Sequence, residues 1–365
     1  APHPWPYPFP MDREAGIEAY QAMITAEAYK AKLARGETDH LHLYTVDGDA
    51  PVIRVEVTRA EVMSPDVTKY EFQTLDGSDL PPWTAGAHID IVVAPEFLRQ
   101  YSMSGDPADR SKYQIGVLRE DGGRGGSKLM HRIFTPGRKV FISHPINHFD
   151  LVEDATKSFL MGGGIGVTPM IAFAHRLHAL GRDFELHYSV PSRARAGYLD
   201  DLSAMPWADR VHLHVSDEGT RADLDAVLAY TPGAHVYTCG PDRYMDAVIA
   251  AAERQGFPEE ARHLEYFSVP EQPEYENHPF TLRLTDGRSF AVPADKTATD
   301  VLAENGIHID VKCSDGICGV CKCRLIDGTV EHRDFVLSKA QRQDAIILCQ
   351  SRAADPGGEI TIDLP

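Results

Sequence analysis

The chain has 365 residues, 43% of them hydrophobic, a formal net charge of −18 and six cysteines. At about 150 residues per domain, that length predicts two or three domains. The acidic balance argues against a nucleic-acid partner, whose binding needs Lys and Arg to neutralise phosphates, and no run of about 18 apolar residues would span a membrane.

The opening stretch, APHPWPYPFPMDREAG, has neither the basic n-region nor the apolar h-region of a secretory signal. A cytoplasmic protein is therefore expected, where clustered thiols bind metal or do redox chemistry more often than they form disulfides. Prolines at positions 2, 4, 6, 8 and 10 predict an extended start. A helix follows, with Asp12 as its cap, Ile17, Tyr20, Ile24 and Leu33 near one face, and Gly36 as its stop. Residues 1–50 read as an N-terminal helical extension.

From residue 51 the character changes to short β-rich runs: VIRVEV, KYEFQTL, AHIDIVV, YQIGVL and KVFIS, punctuated by Gly, Pro and Asp. This predicts a small antiparallel β-barrel or sandwich over 51–152. Over 153–268, strand-like SFLMGG, FELHYSV, VHLHV, HVYTC and HLEYF alternate with helical MIAFAHRLHAL and RYMDAVIAAAERQ, the pattern of an α/β domain with a parallel sheet. Residues 269–279 are proline-rich and charged and read as a linker. A last module, 280–365, opens with a hairpin centred on Asp286 and Gly287 and closes with EITIDL.

Cys313, Cys318 and Cys321 are spaced C-x4-C-x2-C, and 27 residues separate Cys321 from Cys349. This is plant-type [2Fe–2S] spacing, in which one loop supplies three thiolates and a distant segment the fourth. Gly316 and Gly319 let the backbone wrap the cluster. A zinc site is the alternative, although zinc sites usually pair one CxxC with another or with two histidines and here the last cysteine stands alone; a Rieske centre needs two His ligands, and no cysteine here has a histidine two positions on. Cys323 and Cys239 are left over as small buried residues.

KSFLMGGGIGVTPM runs a strand into Gly162, Gly163, Gly164 and Gly166 and then into a helix with Pro169 in its first turn. Such a turn lets a pyrophosphate approach the backbone and a helix N-terminus. Cys239, Gly240 and Pro241 end a later strand and open another helix, so the two loops together predict a nicotinamide site. A hydride carries two electrons and the cluster accepts one. A flavin can take two and release them singly, so a flavin site is expected in the β-rich domain. Arg99, Gln100, Tyr101 and Ser102 are candidates, with a guanidinium for phosphate, and so are Gly125, Gly126 and Ser127 at a helix start.

RQYS, RGGS before a helix, GGGIGVTPM, CGP, HLEYF and C-x4-C-x2-C-x27-C occur in that order. In this set, covering about residues 52 to 365, the chain resembles the phthalate dioxygenase reductase family, which includes vanillate demethylase reductases. The resemblance implies an FMN-binding barrel, an NADH-binding domain and a C-terminal ferredoxin domain of α+β (β-grasp) type. It implies electron flow from NADH through FMN and the cluster to a terminal oxygenase, usually a Rieske enzyme. Carried over by position, Arg99, Gln100, Tyr101 and Ser102 hold flavin; Val117, Leu118 and Arg119 flank its ring; Gly125, Gly126 and Ser127 form the phosphate loop. Gly163, Gly164, Gly166, Gly240 and Pro241 belong to the nucleotide loops. Thr168, Phe267 and Cys239 are candidates at the place of hydride transfer, Phe267 having a core phenylalanine as its alternative reading. Two positions depart from the family: Ile146 replaces a frequent Arg and Ser104 a frequent Cys. A stand-alone NADH:quinone or oxygen oxidoreductase is the alternative. A non-catalytic iron–sulfur sensor is disfavoured because it needs no hydride donor. Arg193 and Arg195, just after the second strand of the α/β domain, stand against the family's NADH habit because an arginine there pairs a 2′-phosphate.

Overall fold

The computed structural model describes residues 53–94, 97–122, 125–267, 275–311, 314–317, 319–337 and 340–364. The N-terminal extension lies outside the described residues. The remainder forms two compact units that separate after Phe267.

The first unit begins with a seven-stranded sheet: β1 (Ile53–Ser64), β2 (Val67–Thr74), β3 (Ala87–Ala94), β4 (Phe97–Ser102), β5 (Tyr113–Leu118), β6 (Lys139–Ile142) and β7 (Ile146–Asn147). Its order is β4-β3-β6-β1-β2-β5, with β7 on β3. All its described strand pairs are antiparallel. A bridge between Met103 and Ile115 joins the two ends of the order, β4 and β5. Alternation drives these strands. Val55 and Val57 of β1 and Ile89 and Ile91 of β3 are buried on one face, as period-2 side chains require.

A five-stranded parallel sheet follows in the same unit, of order β10-β9-β8-β11-β12. Its strands are β8 (Lys157–Gly163), β9 (Phe184–Val190), β10 (Val211–Val215), β11 (Ala234–Cys239) and β12 (Arg262–Glu265). β8 is buried from Ser158 onward, the continuous run of a strand covered on both faces. Helix Val167–Ala179 covers one face, and Val248, Ala251 and Ala252 of helix Asp242–Arg254 pack with Phe159 and Met161 on the other. One apolar core joins the two sheets, running from Val57 and Val117 through Phe149 and Phe173 to Leu186. The clasp between them is polar as well: Lys69 pairs with Asp201 at 2.5 Å and Arg195 with Asp66 at 3.0 Å.

The second unit contains β13 (Phe280–Leu284), β14 (Ser289–Val292), β15 (Lys322–Asp327), β16 (Val330–Glu331), β17 (Ala345–Ile347), β18 (Arg352–Ala353) and β19 (Glu359–Asp363). The main sheet has the order β14-β13-β19-β15-β17, with β13 and β19 parallel. Helix Ala298–Glu304 starts with a reciprocal cap: Thr297 Oγ1 accepts from Asp300 N, and Asp300 Oδ2 accepts from Thr297 N.

Candidate functional site

The β3–β4 register opposes Ile91 to Arg99, Asp90 to Gln100, Ile89 to Tyr101 and His88 to Ser102. Successive strand side chains face opposite ways, so Arg99 and Tyr101 share one side and Gln100 and Ser102 the other. On the Arg99 side stands helix Gly126–Ile133, capped by Gly125 at φ +94°. A Cβ on Gly126 would lie 2.4 Å from Nε of Arg99 and 2.9 Å from its Cζ. The guanidinium therefore rests on the first turn of that helix. A fixed cation and a helix N-terminus both favour a phosphate, so the cradle fits a flavin mononucleotide's terminal group. Ser127 Oγ accepts from Glu120 N at 3.1 Å, which leaves its proton for another partner. Burial pushes the Tyr101 phenol up, keeping it a neutral hydroxyl. On the other side Gln100 is exposed, and Ser102 Oγ donates to Glu265 Oε2 at the end of β12, at 3.1 Å.

Val117 is fully buried, and its carbonyl accepts from His131 Nε2 at 3.0 Å. That bond ties helix Gly126–Ile133 to β5. Burial lowers the His131 pKa, so the ring acts as a neutral strut. Leu118 is half-buried. Arg119 is bound to Asp66 through Nη2 at 3.2 Å. Gly116 is crowded: a Cβ there would meet Tyr198 Oη at 2.5 Å and Thr168 Cγ2 at 3.0 Å. Thr168 is buried and its hydroxyl donates to Ile165 O at 3.0 Å, so its methyl faces β5. Tyr198 holds φ +62° and shares a 2.9 Å hydrogen bond with Ser104.

The two nucleotide-loop candidates interlock. A Cβ on Gly166 would fall 2.2 Å from Cys239 O and 2.6 Å from Gly240 N. One on Gly163 would meet Tyr244 Cδ1 at 2.7 Å and Pro241 Cδ at 3.1 Å, whereas Gly164, at φ +55°, faces open space. The glycines thus divide their work. Gly163 and Gly166 let the loops touch, and Gly164 leaves room above them. Cys239 is fully buried and burial raises its thiol pKa well above the usual range, so it is a protonated thiol there. Phe267 follows β12 and is 42% exposed, which rules out the core reading. Arg193 forms a two-pronged pair with Glu218, at 2.7 and 3.1 Å, and Arg195 pairs with Asp66.

In the second unit Cys321 precedes β15 and Cys349 follows β17, which pair antiparallel through Lys322 and Ile347. Leu348 N donates to Cys321 O at 3.3 Å, so the two cysteine segments lie side by side. Both residues are 1% exposed. The adjoining loop is pinned by Gln350 Nε2 to Ser314 O at 2.6 Å and Phe335 N to Gly316 O at 3.0 Å. Ser314, Gly316 and Gly319 all hold positive φ. Two buried cysteines on neighbouring segments beside a tightly curled loop suit a thiolate-bound cluster. Cys313 and Cys318 lie outside the described residues. Cys323 is buried, and burial pushes its thiol up to about 12, as befits a packing residue.

A profile of the 2Fe-2S iron-sulfur cluster binding domain matches residues 283–354. Over 308 residues the sequence is 38% identical to a vanillate O-demethylase oxidoreductase of a Pseudomonas strain, covering 83% of this chain and 97% of the relative. The chain belongs to the phthalate dioxygenase reductase family. Another relative, phthalate dioxygenase reductase of Burkholderia cepacia, is 35% identical over 86% of this chain and 97% of its own length. A solved phthalate dioxygenase reductase, described as a modular structure for electron transfer from pyridine nucleotides to [2Fe-2S], superposes with a TM-score of 0.61 at 34% identity, covering 86% of this chain and 98% of that one. An intact type IV self-sufficient cytochrome P450 monooxygenase superposes with a TM-score of 0.75 at 35% identity over 85% of this chain. This chain spans only 41% of that longer polypeptide. Like these reductases, the chain is an oxidoreductase with an iron–sulfur domain at its C-terminal end. Among the described residues no helix is long and apolar enough to cross a membrane.

Three residues have contacts not read from the sequence: Glu265 on Ser102, His131 on Val117, and Tyr198 on Ser104 and Gly116. Glu265 lies inside HLEYF and could have been flagged there. Tyr198 and His131 act through long-range packing that has no local signal.

Proposed function

We propose that this chain is the NADH-dependent reductase component of a Rieske-type oxygenase system, and that its modules are an FMN-binding β-barrel, a nicotinamide-binding α/β domain and a β-grasp ferredoxin domain. The observation that carries the reading is the pairing of two chemistries in one polypeptide. The first unit has interlocked glycine loops at the carboxyl ends of a parallel sheet, and the second has two buried cysteines on paired segments of a 2Fe-2S domain. A bound flavin supplies the conversion from paired to single electrons. Arg99 and the helix start at Gly126 hold its phosphate, Val117 and Leu118 back the ring, and Tyr101 offers a neutral hydroxyl. Gly164 leaves room for the nucleotide's pyrophosphate, and Thr168 and Phe267 stand at the nicotinamide. Cys313, Cys318, Cys321 and Cys349 ligate the cluster.

The names of the relatives support an oxygenase as acceptor, among them vanillate O-demethylase, phthalate dioxygenase and carnitine monooxygenase. A second acceptor class has its own observation: the likeness to a self-sufficient cytochrome P450 monooxygenase suggests a haem oxygenase. Cys349→Ser tests the route. The variant loses the cluster's absorption and its reduction of cytochrome c and of a purified oxygenase, while NADH still reduces ferricyanide through the intact first unit. Full electron delivery to the oxygenase by Cys349→Ser overturns the assignment. Rapid coupling to a P450 and none to a Rieske enzyme moves the acceptor to the second class.

A further inference from the structure

The α/β domain carries a histidine cluster that the reductase chemistry does not use. Glu185 and His187 are two apart on β9 and so share a face; His212 stands opposite His187 on the edge strand β10. One donor atom from each of Glu185, His187 and His212 lies within 4.8 Å of the others. His187 is 4% exposed, whereas His212 is open to solvent. The His187 and His212 rings stack with centroids 4.6 Å apart.

The hydrogen bonds around His187 fix its tautomer. Thr220 O lies 3.2 Å from His214 Nδ1. A carbonyl only accepts, so His214 Nδ1 carries the proton and its Nε2 is a lone pair. That Nε2 lies 3.0 Å from His187 Nδ1, which must then donate. His187 Nε2 is left as a lone pair, 3.3 Å from Glu185 Oε2. Two acceptors facing each other at this distance need a positive centre between them. Bonds of about 2.1 Å at a tetrahedral ion place neighbouring ligand atoms about 3.4 Å apart, close to that spacing. Glu185 is also oriented: Lys157 Nζ holds its other oxygen, Oε1, at 2.6 Å. A shared proton would need only Glu185 and His187. The third donor at hand, on an exposed ring that can turn inward without loss of burial, points to a metal.

We propose that Glu185, His187 and His212 bind a divalent first-row transition ion of the zinc class, with solvent in the fourth position. His187 donates through Nδ1 to His214 in the way a metal-bound histidine is usually held from behind. Lys157 is a cationic neighbour that moderates the affinity. Glu185 is the second and His187 the middle residue of β9, both short of its carboxyl end, and the glycine loops lie at the carboxyl ends of β8 and β11. The ion is therefore independent of the nucleotide.

The test is calorimetric titration of the tag-free holoprotein with Zn²⁺ at neutral pH, alongside His212→Ala and Glu185→Gln. His212 is exposed, so its variant keeps the fold. The wild type shows one saturable site and a zinc-dependent rise in melting temperature. Both variants bind at least ~10-fold more weakly, and His214→Gln, which removes the support behind His187, falls within the range of about 10- to 100-fold. The KM for NADH is the same with and without zinc. Absence of saturable binding, or wild-type affinity in either His212→Ala or Glu185→Gln, overturns the proposal. A zinc-dependent rise in KM also overturns it, because it places the ion at the nucleotide.

Discussion

Gly126→Ala separates the phosphate cradle from the stability of the fold. Gly126 is not among the residues with positive φ, so alanine takes its backbone without strain. Replacing glycine within a helix favours the helix by up to about 1 kcal/mol. On fold stability alone the substitution is neutral or beneficial. The new Cβ, however, would stand 2.4 Å from Arg99 Nε, so the guanidinium has to move. Arginine is flexible, and the empty protein absorbs the shift cheaply. A bound phosphate does not, because it loses a charge-assisted hydrogen bond of about 1.5–3 kcal/mol. That corresponds to about 10- to 150-fold in Kd. Quenching of flavin fluorescence during titration of deflavinated protein with FMN measures the affinity, and thermal melting of the same samples measures the fold. Arg99→Ala should weaken FMN over the same range. The double variant should match Arg99→Ala, because both changes act through one guanidinium and coupled sites do not add. Wild-type affinity in Gly126→Ala, or losses that add fully in the double variant, would show that Arg99 does not hold the phosphate.

Two further outcomes follow from ion pairs and burial. Glu218→Ala frees Arg193, so kcat/KM for NADPH should rise relative to NADH while the wild type prefers NADH; an unchanged ratio removes the Arg193–Glu218 pair from cofactor selection. Burial, aided by neighbouring His235, lowers the His263 pKa from the ordinary 6.5 to about 4. Between those values the unfolded chain binds the extra proton, so the stability His263 confers is whole above pH 6.5 and is lost as pH falls toward 4. His263→Gln should flatten the fall of melting temperature across that window, and an unaltered slope contradicts the assignment.

Much of the first unit was legible because its strands announce themselves by pattern. VIRVEV, AHIDIVV and FELHYSV alternate, and SFLMGG reads as a continuous apolar run. These belong to β1, β3, β8 and β9. β4 was not read as a strand, although it carries Arg99, Gln100, Tyr101 and Ser102. Its polar residues interrupt the alternation, and what holds it is pairing with β3, a long-range fact. The helix Ala298–Glu304 was also missed, although Thr297 and Asp300 have the spacing of a capping box. It is short, seven residues, and the hairpin before it carries the stronger local signal.

The site was legible as residue types and less so as assignments of work. RQYS reads as four equal flavin contacts, yet strand alternation sends Ser102 to Glu265 and leaves Arg99 with Gly126. GGGIG reads as a pyrophosphate turn throughout, yet Gly166 has no room for a ligand because Cys239 and Gly240 fill it. A glycine without Cβ serves equally well for approach to a ligand or to another loop, and sequence cannot tell the two uses apart. Of these, Gly164, with open space beyond its Cα, has the room that role requires. The arginines after β9 make the same point from the other direction. Alone, Arg193 and Arg195 read as a 2′-phosphate site, but the carboxylates that engage them, Glu218 and Asp66, come from 25 and 129 positions away along the chain. The charge these arginines present is thus set by partners the local motif does not contain.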